Sequence, residues 1–149
     1  MRRPNRQDGF TGIELLVVVL IIAILLAIVG VAYKGVLARN RNQDRAKSVN
    51  AIQKQLEAYY QTNSHYPSLR DLNDSSWLQV NMKSLDTALL QDPSGNRPTL
   101  VANPSTHNYA YQPLTTSGNG CEQDDTTCAT YTLTATLEGG GTYVKQNNN

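Results

Sequence analysis

The chain has little of what catalysis is made from. It carries two histidines, two cysteines, one tryptophan and one phenylalanine in 149 residues. His65 and His107 stand at no spacing that suits zinc. Neither combines with a serine or cysteine and an acid into a nucleophilic arrangement, so both read as polar loop residues. Net charge is nearly absent too. Thirteen basic and twelve acidic side chains leave +1, and nothing in that balance points to nucleic acid. Proline is missing from Asn5 to Tyr66, so no ring interrupts a long helix there. The sharpest absence is local: residues 15–33 contain no charged side chain.

As a helix, that uncharged stretch would be roughly 28 Å long at ~1.5 Å per residue. A bilayer's hydrocarbon core is about 30 Å thick. The run is apolar on every face, which argues against the core helix of a globular domain. It is either a permanent span or a cleaved signal. Gly30-Val31-Ala32 offers small residues at the spacing a conventional signal peptidase accepts. A cut after Ala32 would release a secreted binding protein. A single-span anchored protein that never assembles is a further alternative. Charge does not orient the span. Arg2, Arg3 and Arg6 precede it, and Lys34, Arg39, Arg41, Arg45 and Lys47 follow it. Glu14 is out of place on all these readings, because it abuts the run where lipid makes a carboxylate costly.

The residues before the run are more specific. "MRRPNRQDGFTGIELL" resembles the leader and cleavage region of the type IV pilin and pseudopilin family. A short basic leader ends in glycine; Phe-Thr-x-Ile-Glu-Leu and an apolar run follow at once. The resemblance implies a prepilin peptidase that cuts after Gly9, on the cytoplasmic side, and N-methylates the new first residue, Phe10. Glu14 matches the family's assembly glutamate. Gly12 stands where leucine is usual, and Asp8 where a basic or neutral residue is commoner. The span also lacks the proline that many type IV pilins carry.

After the span, Ala46, Val49, Ile52, Leu56 and Tyr59 recur at three- and four-residue intervals, so an amphipathic helix continues it. The spacing predicts one helix over about residues 10–61. Thr62, Asn63, Ser64 and Pro67 end it. "AYYQTNSHYPS" and "QDPSGNRP" are similar to stretches of major pseudopilins, a Tyr-Pro pair after the helix and an Asp-Pro-x-Gly-Asn turn before the sheet. Ser68 is placed to cap a short turn through Leu72. A second short helix is expected over residues 82–90, and a turn at Asp92-Pro93-Ser94-Gly95. Tyr109 and Tyr111 share one strand face. Tyr131, Leu133, Ala135 and Leu137 share another, opposite Thr130, Thr132, Thr134 and Thr136. Gly139-Gly140-Gly141 turns the chain into a last short strand at residues 142–145. The expected fold class is α+β: a long N-terminal helix packed on a small antiparallel sheet, which the resemblance makes a pilin fold. The chain divides into a leader, residues 1–9; a transmembrane and assembly helix, 10–33; the amphipathic half of that helix, 34–63; and a globular head, 64–149.

Cys121 and Cys128 lie close together in a polar stretch. Behind a membrane-targeting segment they read as a small disulfide loop in an oxidising compartment, the alternative being two free thiols. Asp124 and Asp125 beside them are weak calcium candidates, since some pseudopilins bind calcium in a loop of the C-terminal sheet; a site needs several oxygens in place. No other cofactor is implied. The basic residues 34–47 could meet anionic headgroups or a partner's acids, or be an ordinary solvated face. The acidic head is a poor surface for nucleic acid. The resemblance implies a structural subunit, not an enzyme, of a helical filament assembled from the membrane. Its partners would be other copies of itself, the prepilin peptidase, an assembly platform and membrane lipid. A pilus would serve adhesion, motility or DNA uptake; a pseudopilus, type II protein secretion. The implied location is the inner membrane, single-pass, with the head outside the cytoplasm and the finished filament periplasmic or extracellular.

Overall fold

The computed structural model describes residues 9–121 and 125–148. Most of the expected leader, residues 1–8, lies outside the described residues. The chain forms two compact units, Met1–Leu37 and Ala38–Asn149. Helix α1, Gly12–Asn63, contributes to both. In the first unit its large apolar side chains over residues 13–29 are exposed on every face, from 46% for Val17 to 73% for Ile13. Among the described residues no element covers them, which suits a helix whose surroundings are apolar. Among the described residues, α1 is the one helix long and apolar enough to cross a membrane.

The second unit is built on the rest of α1. Val49, Ile52 and Leu56 are fully buried, and Tyr59 packs against the same core. α1 ends at Ser64, which takes a left-handed conformation (φ 63°) while its N–H donates to the Tyr60 carbonyl at 2.7 Å. The helix therefore stops by a left-handed cap, ahead of Pro67. Ser68 then caps α2, Leu69–Asn73, in a reciprocal pair with Asp71. The helix expected over residues 82–90 is displaced. Asp74 caps α3, Ser75–Asn81, and Asp86 caps a 3-10 turn, Thr87–Leu90. Two separate caps start two short elements, and the segment between them supplies buried Met82 and Leu85 to the core instead of one continuous helix.

Strands β1 (Ala110–Thr115), β2 (Cys128–Thr136) and β3 (Thr142–Gln146) form an antiparallel sheet in the order β1-β2-β3. Tyr111 faces Leu133, and Ala135 faces Tyr143. Tyr131, Leu133 and Ala135 are buried, as their alternation predicts. Pro113 sits in β1, tolerable because β1 is an edge strand. The β2–β3 connection needs its glycines: Gly139, Gly140 and Gly141 hold φ of 89°, 103° and 87°, where a Cβ is strongly disfavoured.

Candidate functional site

Two regions carry the arguments about function, one in each unit. At the start of α1, Thr11 is the capping residue. Its Oγ1 accepts from Glu14 N at 3.3 Å. Glu14 Oε2 accepts from Thr11 N at 3.0 Å and Thr11 Oγ1 at 2.9 Å. This is a capping box, with two otherwise orphaned donors satisfied reciprocally. Glu14 thus has a local role whether or not it meets another chain. The box uses only one carboxylate oxygen; Glu14 Oε1 has no hydrogen bond among the described residues. Gly9 and Phe10 are exposed just before the cap, Phe10 at 84%.

The second region was hidden in the sequence. Arg45 is fully buried and uses all five of its N–H donors. Nε and Nη2 grip Asp92 in a bidentate pair at 2.7 and 2.9 Å. Nη2 also donates to Ser94 Oγ at 2.9 Å. Nη1 reaches Asn42 Oδ1 at 2.8 Å and Glu138 Oε1 at 3.1 Å. Arg41 forks onto both oxygens of Glu138. Asn42 closes the group by donating to the Glu138 carbonyl at 3.0 Å and accepting from its N–H at 2.9 Å. One turn of α1 is thereby tied to the Asp92 turn and to the chain leaving β2. The basic stretch is accordingly not a uniform solvated or lipid-facing surface, because Arg45 is buried on Asp92 and half-buried Arg41 is paired with Glu138. The signal was available. Arg45 lies four residues before Val49 and continues the buried stripe, whereas Ala46, assigned to that stripe by sequence, is only half-buried.

Electrostatics follow the geometry. The Arg41 fork, with help from Arg45, pulls the Glu138 carboxyl down to about 2. Burial pushes Asp92 up, but hydrogen bonds from Arg45 and Ser94 outweigh it and leave the carboxyl below its usual range. The Asp92 hydrogen bond raises Arg45 despite the opposing cost of burial. The Asp-Pro-Ser-Gly turn is thus an anion presented to a helix arginine. Gly95 is needed within it, since a Cβ there would sit 2.3 Å from the His107 carbonyl oxygen.

The tyrosines are structural. Tyr66 is fully buried, stacked on Tyr60 at 4.5 Å and edge-on to Tyr131 at 4.7 Å. Tyr66 and Tyr131 donate to the two oxygens of Glu57, at 3.1 and 2.8 Å. Burial first, then Glu57, raises both phenols well above their ordinary range. His65 Nδ1 donates to the Asn63 carbonyl at 2.8 Å, and His107 contacts the adjacent Thr106. Cys121 and Cys128 are joined as a disulfide. Asp125 lies within 4.8 Å of both sulfurs, but bonded sulfurs offer no thiolate to a metal. Asp124, the other calcium candidate, lies outside the described residues.

A long helix with an uncovered apolar first part and a small α+β head is the architecture that the sequence resemblance implies. The family motif described as "Prokaryotic N-terminal methylation motif" matches residues 4–30. The chain belongs to the type IV pilin and pseudopilin family and is a structural subunit of a pilus or pseudopilus. Among its relatives is the "Type II secretion system core protein G" of Escherichia coli (strain K12). That protein is 31% identical over 129 residues, which span 80% of this chain and 88% of the relative. No solved structure matches the chain.

Proposed function

We propose that the chain is a pseudopilin of a type II secretion apparatus rather than a pilus subunit. One observation carries this reading. The likeness to the secretion protein runs over 129 residues and 80% of the chain, so it must include much of the head. In this reading a prepilin peptidase cuts after Gly9 and methylates the Phe10 amine. The apolar part of α1 holds the subunit in the inner membrane with the head outside the cytoplasm. Copies then assemble into a helical filament on a secretion platform, and the protein catalyses no reaction. Calcium has no support beyond half-buried Asp125 beside the disulfide.

Glu14 joins processing to assembly. In a filament the start of α1 is surrounded by apolar helices, where an unpaired carboxylate is strongly unfavourable. The new Phe10 amine of a neighbour can meet Glu14 Oε1, the oxygen the capping box leaves open, in one axial stagger only. The test is genetic. Deleting the gene is expected to stop export of a secreted enzyme across the outer membrane while surface pili persist. Loss of pili with secretion intact would overturn the secretion assignment. The intact mass of the mature protein tests the processing separately: a chain beginning at methylated Phe10 supports it, and one beginning at Tyr33 rejects it.

A further inference from the structure

After β1 the chain turns through Thr116-Ser117-Gly118-Asn119-Gly120 toward the disulfide. Leu114 and Gly120 face each other as an isolated antiparallel bridge. The hydrogen bonds around that pair run from Thr115 N to Asn119 O at 2.8 Å and from Cys121 N to Pro113 O at 3.3 Å. These bonds straddle Leu114 and Gly120, so the pair itself is of the non-hydrogen-bonded kind and the Gly120 N–H points away from β1. A Cβ built on Gly120 would meet nothing within 4 Å, and its φ lies outside the left-handed region. Asn119 is exposed. Its backbone N–H is held by Thr115 Oγ1 at 3.2 Å, while its side-chain amide has no hydrogen bond among the described residues.

We propose that Asn119–Gly120 is a site of spontaneous covalent modification, at which the asparagine cyclises onto the following amide and opens to aspartate or isoaspartate. The Gly120 nitrogen loses its proton and attacks Asn119 Cγ. A C–N bond forms, the Cγ–Nδ2 bond breaks, and ammonia leaves with the proton. Water then opens the five-membered imide at either carbonyl, so no oxidant or further reactant is required. Among the described residues the Gly120 nitrogen and the Asn119 side-chain amide have no hydrogen-bond partner, and glycine has no side chain to obstruct the ring.

Asn63 and Asn73 are held. Asn63, followed by small Ser64, has its amide on the Tyr59 carbonyl at 3.0 Å. The Asn73 amide is bonded both ways to the Leu100 backbone, at 2.9 and 2.8 Å. The modification would place a negative charge at the rim of an apolar groove lined by Leu69, Tyr111, Pro113, Leu114 and Cys121. Through isoaspartate it would lengthen the backbone where Asn119 O holds Thr115 N.

The test is peptide mapping of the full chain, kept in detergent micelles at neutral and mildly alkaline pH, with fragmentation that separates aspartate from isoaspartate. Asn119 is expected to gain one mass unit before Asn63 and Asn73, and sooner at the higher pH. Gly120→Ala, which the open space around Gly120 tolerates, is expected to slow the conversion about tenfold by crowding the nitrogen. Conversion of Asn63 or Asn73 ahead of Asn119 would overturn the proposal, as would an unchanged rate in Gly120→Ala.

Discussion

Arg45 brings a positive charge into a core built mostly of tyrosines and aliphatic side chains. The bidentate pair with Asp92 and three further acceptors make that burial tolerable. Removing one partner leaves the other buried and unpaired, a loss of about 3–5 kcal/mol. Arg45→Met is therefore expected to lower head stability by that order in denaturant unfolding. Arg45→Met combined with Asp92→Asn should cost less than the sum of the two single changes. Additive losses would show that the pair is not coupled. Glu138 gives the same network a pH dependence. Its carboxyl titrates at about 2 in the fold against an ordinary value of 4.5. A depressed carboxylate stabilises fully above its unfolded value and loses that contribution as pH falls through the folded one. Stability should thus decline between about pH 4.5 and about pH 2, with lowered Asp92 acting in the same direction. Glu138→Gln should flatten the upper part of that decline, and an unaltered acid-unfolding curve would count against the Arg41 fork.

At the scale of elements, helix stops and hairpin closures decide where the core forms. Ser64 has a Cβ in the left-handed region, a placement that costs about 1–2 kcal/mol relative to a right-handed one. Ser64→Gly should relieve part of this and raise the melting temperature. A lowered one would mean that the Ser64 side chain contributes more than its backbone strain costs. The disulfide closes a loop between residues seven apart, worth roughly 2–3 kcal/mol in the chain-entropy account. Cys121→Ala with Cys128→Ala should destabilise the head by that order, and reducing agent should then have no further effect. Much of this level was legible beforehand. The stripe at Val49, Ile52 and Leu56, the alternation at Tyr131, Leu133 and Ala135, the Ser68 cap and the triple-glycine turn are local patterns that burial only had to enforce. What was not legible depended on distant partners. Asp74 and Asp86 are equally good caps by sequence, and the packing of Leu78, Met82 and Leu85 chooses where helix forms. Arg45 reads as a solvated cation until Asp92, 47 residues away, is brought beside it.

For the whole molecule, the question is whether Glu14 acts on its own chain or on the next. The capping box and the proposed pairing with a neighbour's amine make opposite demands on one substitution. Glu14→Gln keeps an acceptor at the third helical position, so the cap survives; the charge does not. Such cells should still make and cut the subunit, yet assemble few filaments and secrete poorly. Normal filaments from Glu14→Gln would assign the residue to its own helix terminus. The uncovered apolar surface of α1 in the first unit bears on how assembly is driven. Lipid tails are as apolar as leucine, so moving such a helix from bilayer to filament removes no water and gains nothing from the hydrophobic effect. On the proposed reading, polymerisation draws on close van der Waals fit between helices and on charge matching at their ends. On the proposed reading, subunits waiting in the membrane are a store from which the filament can grow.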